Sequence, residues 1–586
     1  MAMQSEATTL QSYYLAELTA LRELGTEFAQ RHPKIAGALD LGHEQSQDPH
    51  TERVIEAFAF LTARLQLDLD REFPRIAQSV IDHLCPALLQ PTPSMSIARF
   101  EWQERLPGAT TGLSIPAQTM LAVRSQEGVL IRFRTGWETR LFPLVVGALK
   151  REEDGAVTLC LQTLGQANLE DLDLSKFRFY LHGDWSTLTP LLELLLAETS
   201  RVSVGTELGQ LKALQAPPSL TGFGDNEGVL PCPPSAHPAY SLLQEYFAFA
   251  QKFHFITLQG IETLGVKGNT LFIRFHLGPA ATRIAKLNED TFQLGCVPVV
   301  NLFQRTTEPI LVTDERHEWL VVGDRDQESS TEIHSLLEVS LSQPGAERPD
   351  ILSPFGAMGD FRGDSNQTLW MVRRDQSLRK DITGTDLFLS FVDRSQFPVR
   401  PPSTTVYAQA LCCNRGLAEQ VPAQTQCHME TTNLGLKATL LLTPSAQKSP
   451  PLGGDAAWRL TRLVRLHHGN LLGPNALEQL QALLQLFAGD QRKDSEHIAG
   501  IVDIQAQRGF QRLGKQPWAG MLPGTEIALR IDPKSFSAGS AIVFSAMLSR
   551  FFSLYTTVNN FTQTSLWRGD DCLKRWPAAT GYQEML

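Results

Sequence analysis

The glycine-rich stretch at residues 222–228 could form a phosphate-binding loop. Gly222 and Gly224 flank Phe223, and Gly228 follows shortly after. Backbone amides in such a loop can cradle a phosphate. The stretch lacks the Lys-Ser/Thr ending of a Walker loop, and it lacks the flanking strand and helix of a dinucleotide site. The pattern therefore favours an ordinary turn.

Cysteine pairs are the second candidate for chemistry, because thiolates bind zinc. Cys412-Cys413 and Cys427-His428 could supply soft ligands. Adjacent ligands fit a single tetrahedral ion poorly, however, and no Cys-x-x-Cys motif occurs. The eight cysteines are scattered, which is typical of reduced, buried thiols in a cytosolic protein. We predict no bound metal and no cofactor.

Histidines and carboxylates give no acid–base constellation. His43 and His50 are separated by a loop-like stretch, and His467 and His468 precede a glycine, as at a solvated helix end. The carboxylate pairs lie beside arginines, which is typical of charged turns or helix faces: Asp68 with Asp70, and Asp324 with Asp326. No Gly-x-Ser-x-Gly nucleophile elbow is present. The sequence therefore predicts a protein that is not an enzyme.

Length and composition set the broad class. The chain has 586 residues, too many for one hydrophobic core, since cores stop growing near roughly 250 to 300 residues. The net charge of −11 argues against nucleic-acid binding, which needs a basic surface. No uncharged apolar run reaches the roughly 20 residues that span a bilayer. The first residues also lack a signal-peptide pattern, so we expect a soluble, cytoplasmic protein without direct membrane insertion.

The N-terminal region has the apolar periodicity of helices interrupted by prolines. Tyr14, Leu18, Leu21 and Phe28 recur at helical spacing and predict a first helix that ends near Pro33. A second helix is predicted from Pro49 after the capping residue Asp48. Its apolar stripe comprises Val54, Phe58, Leu61, Leu65 and Leu69.

Prolines are expected to divide the rest of this region. Phe73-Pro74 should close the second helix, because proline disfavours a helix interior. A third helix should carry Ile76, Val80 and Leu84 and end at Pro86.

The middle of the chain changes to the alternation of strands that have one buried and one solvated face. Ile131 and Phe133 alternate with Arg132 and Arg134, for example. Similar runs contain Ala98, Phe100 and Trp102, and Leu271, Ile273, Phe275 and Leu277. Short helices are expected at Pro190 to Leu196 and within Tyr240 to Phe255. This part of the chain is therefore predicted to be mainly β.

A helix from Ala541 to Tyr555 is predicted near the C-terminus, because Ala541, Phe544, Leu548 and Phe551 recur at helical spacing. Additional apolar residues beside that seam, Phe552 among them, make the helix apolar over more than half of its circumference. Such a helix must be covered on several sides, either by its own domain or by another subunit. Both alternatives are compatible with the sequence, although core packing is the commoner one.

The predicted fold class is α+β and multidomain, with an N-terminal helical arm, β-rich middle domains and a mixed α/β C-terminal domain with a long apolar helix. Proline-rich joints suggest the boundaries. We predict a helical region at 1–93, a β-rich domain at 94–230, an α+β domain at 231–345, a β-rich domain at 346–450 and an α+β domain at 451–586.

Blocks of sequence over almost the whole chain resemble the TssF (ImpG/VasA) family of type VI secretion systems. They include Leu21-Arg22-Glu23-Leu24-Gly25, Arg31-His32-Pro33, Leu242-Leu243-Gln244-Glu245-Tyr246-Phe247, Lys252-Phe253, Leu294-Gly295-Cys296-Val297-Pro298, Arg550-Phe551-Phe552 and Phe561-Thr562-Gln563. The Cys412-Cys413-Asn414-Arg415-Gly416 segment departs from the usual pattern of the family in part.

The resemblance implies a structural, non-enzymatic role in the contractile, phage-tail-like injection machine. TssF-like proteins form a wedge complex of the baseplate in which two TssF copies accompany one TssG, joined by TssE and the adaptor TssK. The wedge surrounds a VgrG spike and supports Hcp tube and sheath assembly. The implied location is the cytoplasm, docked at the inner-membrane complex. A metal-binding or enzymatic effector-associated protein of the same machine is the first alternative, and a small-ligand-binding module in one β domain is the second.

The resemblance and the two apolar seams together suggest where partners bind. A permanent assembly needs large apolar interfaces, of about 2,000 Å² or more. We therefore predict protein interfaces at Tyr14, Leu18, Leu21 and Phe28 in the N-terminal arm and at Phe544, Phe551 and Phe552 near the C-terminus. Burial of each side chain in the core of the chain is the competing interpretation.

Overall fold

The fold is described from a computed structural model. It covers residues 13–15, 17–22, 31, 34, 49–102, 110–125, 127–197, 201–233, 236–284, 286–313, 315–342, 349–355, 368–377, 379, 382–393, 397–399, 401, 405–430, 435–450, 452, 473, 475–489, 491–512, 521–537 and 539–581. The α-helices with continuous bounds are α1 (Pro49–Leu84), α2 (Trp185–Leu196), α3 (Pro238–Ala248), α4 (Ala476–Phe487), α5 (Arg492–Ala499) and α6 (Ala541–Tyr555).

Strands make up most of the regular structure between α1 and the C-terminus. The first half contains β1 (Met95–Trp102), β2 (Leu113–Ile115), β3 (Met120–Arg124), β4 (Leu130–Thr135), β5 (Thr139–Leu141), β6 (Leu144–Arg151), β7 (Val157–Thr163), β8 (Lys176–Leu181), β9 (Arg201–Gly205), β10 (Lys212–Ala213), β11 (Ser219–Leu220), β12 (Phe255–Gln259), β13 (Thr270–His276), β14 (Phe292–Gln293) and β15 (Cys296–Val300). The second half contains β16 (Phe303–Thr306), β17 (Ile310–Leu311), β18 (Glu318–Val321), β19 (Glu332–Ser342), β20 (Asp350–Pro354), β21 (Leu369–Gln376), β22 (Thr385–Val392), β23 (Thr405–Cys413), β24 (Gln426–Met429), β25 (Leu436–Leu440), β26 (Ile501–Arg512), β27 (Met521–Ile531), β28 (Phe561–Arg568), β29 (Asp571–Arg575) and β30 (Ala579–Thr580).

Helix α1 is a single helix of 36 residues. The predicted start at Pro49 is confirmed, but the predicted break at Phe73-Pro74 is wrong, because the helix continues through it to Leu84. A proline removes one backbone hydrogen bond and disfavours a helix interior without forbidding it. The second and third predicted helices are therefore one element.

Six strands form a closed barrel in the order β1-β15-β4-β3-β24-β25. Its strands come from distant parts of the chain, since β1 pairs with β15 and with β25. The alternation predicted around Phe100 and Phe133 is confirmed, because both side chains lie in the barrel core. Arg132 and Arg134 consequently point to the outside of the barrel.

Antiparallel pairing dominates the other sheets. An eight-stranded sheet follows the order β16-β23-β19-β20-β21-β22-β18, with β17 paired to β23, and it has its own hydrophobic core. Two smaller sheets have the orders β10-β9-β13-β7-β6 and β11-β12-β8-β14. The C-terminal sheet has the order β26-β27-β28-β29, with β30 paired to β28. The described residues therefore form a multidomain α+β chain that is mainly β, as predicted.

The largest hydrophobic core joins parts of the chain that are far apart in sequence. It combines Ile81 at the end of α1, Phe179 in β8, Leu243 in α3 and Phe551 in α6. Four of the five predicted domain segments contribute buried side chains to it. Helix α6 has the predicted bounds but only 15 residues. The long apolar helix expected in the C-terminal domain is therefore not found among the described residues, where the longest helix is α1.

Three buried histidines, His254, His334 and His497, are held neutral by the fold. Burial is the main cause that lowers the pKa of His254 and of His334 to about 3, and that of His497 to about 4. The positive charges of Arg374 and Arg134 also lower the pKa of His334. The ring of His497 stacks on Phe536 with centroids 4.6 Å apart. Protonation of any of these imidazoles therefore favours the unfolded chain.

We expect the free energy of unfolding to fall as the pH drops below about 6.5, the usual pKa of an unfolded histidine. The contribution of these groups is complete above that pH and is lost as the pH falls toward their folded pKa values. Each histidine should contribute a slope of roughly 1.4 kcal/mol per pH unit. Urea unfolding between pH 7.5 and pH 5, about the range in which unfolded histidines titrate, measures this slope. A His254→Phe variant should lower the slope, because it removes one of the groups whose pKa burial lowers.

Candidate protein interfaces

Helix α1 presents an exposed apolar stripe to solvent. Val54, Phe58, Leu61 and Leu65 follow one another at spacings of four, three and four residues, so they lie on one face of the helix. Their side chains are 59–67% exposed. Ala59 and Ala63 lie on a different face and are fully buried. Since large apolar side chains rarely line up in water without a partner, this stripe is the clearest candidate interface among the described residues.

The N-terminal residues predicted as an interface lie beside α1. Residues 13–15 and 17–22 are helical, and Arg22 forms an ion pair with Glu52 in the first turn of α1. Leu18 is 8% exposed, whereas Tyr14 and Leu21 are half-buried. Phe28 lies outside the described residues. The described seam residues Tyr14, Leu18 and Leu21 are therefore less exposed than the neighbouring α1 stripe, whose apolar periodicity is evident in the sequence.

The C-terminal residues predicted as an interface are core residues in the structure. Phe544 and Phe551 are 0% exposed and Phe552 is 2% exposed. Helix α6 packs against α3, α2 and strand β28 of the same chain. The ring of Phe544, for example, lies 5.5 Å from that of Tyr246 in α3. This corrects the interface expectation, because neighbouring elements of the chain itself cover the apolar circumference of α6.

The glycine-rich stretch is occupied by a carboxylate of the chain itself. The amides of Gly222 and Gly224 donate hydrogen bonds of 2.7 and 3.0 Å to Oε2 of Glu227. Glu227 also forms an ion pair with Arg178 at 2.7 Å. The amides that would bind a phosphate are therefore already used, and the segment is a turn held by its own side chain.

The cysteines considered as metal ligands are buried thiols. Burial raises the pKa of Cys412 and of Cys427 to about 12 and also raises the pKa of Cys413. These thiols stay protonated near neutral pH, whereas a thiolate is the form that binds zinc. Among the residues that the structure describes, no group of three or more His, Cys, Asp or Glu side chains could hold a metal ion.

The other candidates for chemistry are accounted for by local structure or are not described. Asp324 forms an ion pair with Arg305, and its Oδ1 accepts a 2.9 Å hydrogen bond from the amide of Asp326. Asp68 and Asp70 lie on α1, and His50 is exposed in its first turn. His43, His467 and His468 lie outside the described residues.

The Asn414-Arg415 segment is buried, which its sequence did not reveal. The amide of Asn414 donates to Oδ1 of Asn301 at 2.7 Å, and Asn301 Nδ2 donates back to Oδ1 of Asn414 at 2.8 Å. Asn414 Oδ1 also accepts from the backbone amide of Arg132 in β4. Because both asparagines are at most 2% exposed, this segment supports the barrel from within the chain.

Comparison with known proteins identifies the family. A family model described as "Type VI secretion system, TssF" matches residues 6–583. The chain belongs to the TssF family. It is 30% identical to the type VI secretion system component TssF1 of Pseudomonas aeruginosa, with 98% of each chain covered. The predicted resemblance is confirmed, and this TssF-family chain is a structural component of the secretion system and not an enzyme.

Two solved structures share the TssF fold. A chain of the TssK-TssF-TssG baseplate subcomplex, determined by cryo-electron microscopy, has a TM-score of 0.75 and 23% identity, covering 91% of this chain and 99% of that chain. A chain of the baseplate complex from the type VI secretion system has a TM-score of 0.59 and 22% identity, covering 98% and 100%. None of the helices that the structure describes has both the length and the apolar character needed to cross a bilayer.

Proposed function

We propose that this chain is a wedge subunit of a type VI secretion baseplate and that the α1 stripe is its main docking surface. TssG and a second TssF copy are the proposed partners of the stripe and of the N-terminal residues Tyr14, Leu18, Leu21 and Phe28. TssK and TssE complete the proposed wedge around VgrG and Hcp. The proposed location is the cytoplasmic face of the inner-membrane complex.

The exposed apolar stripe is the observation that carries this proposal. Four large side chains from Val54 to Leu65 are more than half exposed on one helix face. The apolar surface of α6, by contrast, is used within the chain. The relative with the same fold was solved in complex with TssK and TssG, which supports partners of this kind. The interfaces of permanent assemblies are large and apolar, so a permanent subunit is expected to expose apolar surface of this kind before it assembles.

A Phe58→Asp/Leu61→Asp double variant should fold but no longer bind TssG. Each charge would be desolvated in the interface, at a cost of about 2 kcal/mol or more, so together they should weaken binding by roughly a thousandfold. Co-purification of the full chain with TssG from the same gene cluster measures the loss. Thermal unfolding of the variant alone scores folding separately.

A Leu208→Asp/Phe397→Asp double variant is the matched control. Both residues are large, apolar and more than half exposed, but they lie far from α1 in sequence. This control should retain TssG. If the α1 variant also retains TssG at the wild-type ratio, the stripe is not the docking surface and the proposal is wrong.

A further inference from the structure

A cavity of about 460 Å³ lies where the barrel meets the edge of the eight-stranded sheet. Arg132 and Arg134, on the outer face of β4, form one wall. Phe303 and Arg305, on the edge strand β16, form the facing wall. Glu430 is the one acidic residue among the described side chains that line the cavity. The cavity therefore has an excess of positive charge.

Two of the three arginines are held in place by carboxylates. Nε of Arg132 lies 2.9 Å from Oε1 of Glu430, and its guanidinium lies 5.4 Å from the ring centroid of Phe303. Arg305 forms an ion pair with Asp324. These contacts fix two planar donor groups at the cavity wall without leaving either charge uncompensated.

Arg134 is different, because no carboxylate of the described residues pairs with it. Its side chain is half-buried, and burial alone lowers the pKa of its guanidinium, with no opposing carboxylate. Arginine stays charged in proteins, so this group cannot relieve the cost of burial by losing its proton. One cation in the cavity thus lacks a counter-charge within the part of the chain that the structure describes.

An anion of modest size would supply that charge. Guanidinium groups match the geometry of phosphate and carboxylate oxygens, and hydrogen bonds between such ions are stronger than neutral ones. The volume falls within the range of about 300–1,000 Å³ that is usual for small-molecule sites. The amides of Gln118 and Gln304, which also line the cavity, add neutral donors and acceptors.

We propose that this cavity binds a small organic anion that carries phosphate or carboxylate groups. The anion neutralises Arg134 on the barrel and contacts Arg305 on the eight-stranded sheet. It therefore links the two structural units across the cavity. This site is separate from the α1 stripe, so it goes beyond the proposed role in assembly.

Titration of the full chain with inorganic phosphate and with citrate tests the site and separates the two anionic groups. Isothermal calorimetry and thermal unfolding are followed at constant ionic strength, with sodium chloride as the reference salt. At least one probe should bind saturably and raise the unfolding temperature. An Arg134→Gln variant should bind it about tenfold to hundredfold more weakly. The affinity of an Arg134→Lys variant should lie between those of the wild type and Arg134→Gln, because lysine keeps the charge and loses the planar donor group.

Arg124→Gln is the matched control, since Arg124 lies on β3 of the same hairpin but does not line the cavity. It should bind the probe as the wild type does. Without a probe, Arg134→Gln should unfold at the wild-type temperature or above, because the change removes an unpaired charge. Equal affinity of Arg134→Gln and the wild type would overturn the proposal, as would the absence of saturable binding of both probes at about 10 mM, well above a millimolar Kd.

Discussion

A Phe551→Asp variant is expected not to fold. The Phe551 side chain is fully buried in the largest core. The centroid of its ring lies 5.7 Å from the ring centroid of Phe552 and 5.2 Å from that of Tyr555. An unpaired carboxylate at this position would lose its hydration without gaining a partner. Even Phe551→Ala should cost about 3–5 kcal/mol, a large part of a total stability of roughly 5–15 kcal/mol.

Phe58→Asp makes the same chemical change at an exposed phenylalanine and is the control. Phe58 is 59% exposed, so its replacement should leave the unfolding temperature nearly unchanged. Recovery of folded protein and thermal unfolding followed by circular dichroism compare the two variants. A Phe551→Asp chain that folds normally and loses only TssG would instead make Phe551 an interface residue and contradict the structure.

Lys252→Met is expected to destabilise the chain by about 3–5 kcal/mol, because it leaves the Glu245 carboxylate buried without its counter-ion. The two side chains form an ion pair at 1% and 3% exposure. Oε1 of Glu245 also accepts hydrogen bonds of 2.7 and 2.8 Å from the amides of Val229 and Leu230. Val229 and Leu230 belong to the barrel core, whereas α3, which carries Glu245, contributes to the largest core. The pair thus helps to join two cores.

Adding Glu245→Gln to Lys252→Met should recover most of the loss. Glutamine keeps an oxygen that accepts hydrogen bonds from both amides. The double variant leaves no unpaired charge in the interior, and replacing both members of a buried ion pair by neutral residues often costs little stability. Urea unfolding of the wild type, both single variants and the double variant gives the coupling free energy. If the changes in unfolding free energy of the two single variants add up to that of the double variant, the coupling free energy is zero. That result would show that the charges of Lys252 and Glu245 do not stabilise each other in the folded chain.

Local pattern in the sequence was sufficient for many individual elements. The period of two residues predicted β1, β4 and β13, and the period between three and four predicted α6 with its observed bounds. These elements follow from backbone geometry and from one apolar face, both of which are local properties. The break predicted at Pro74 failed because a single unfavourable residue does not outweigh the rest of a helix of 36 residues.

The cavity shows the limit of such patterns. The sequence placed Arg132 and Arg134 on the solvated face of a strand, and that face is indeed outside the barrel core. Only the tertiary structure brings β16 across from them and gives Arg132 a carboxylate while Arg134 has none among the described residues. Charge pairing depends on side chains as far apart in sequence as Arg132 and Glu430, so strand periodicity could not predict it.

The family, the mixed α+β class and the apolar faces of α1 and α6 could all be inferred from the residues alone. The packing of the folded chain distinguishes these faces, because α3 and β28 pack on α6, whereas the α1 stripe remains exposed. The hydrophobic effect is non-directional and depends on the apolar area removed from water. An apolar stripe therefore shows that a side chain needs cover, and only the folded chain shows whether the cover comes from within it.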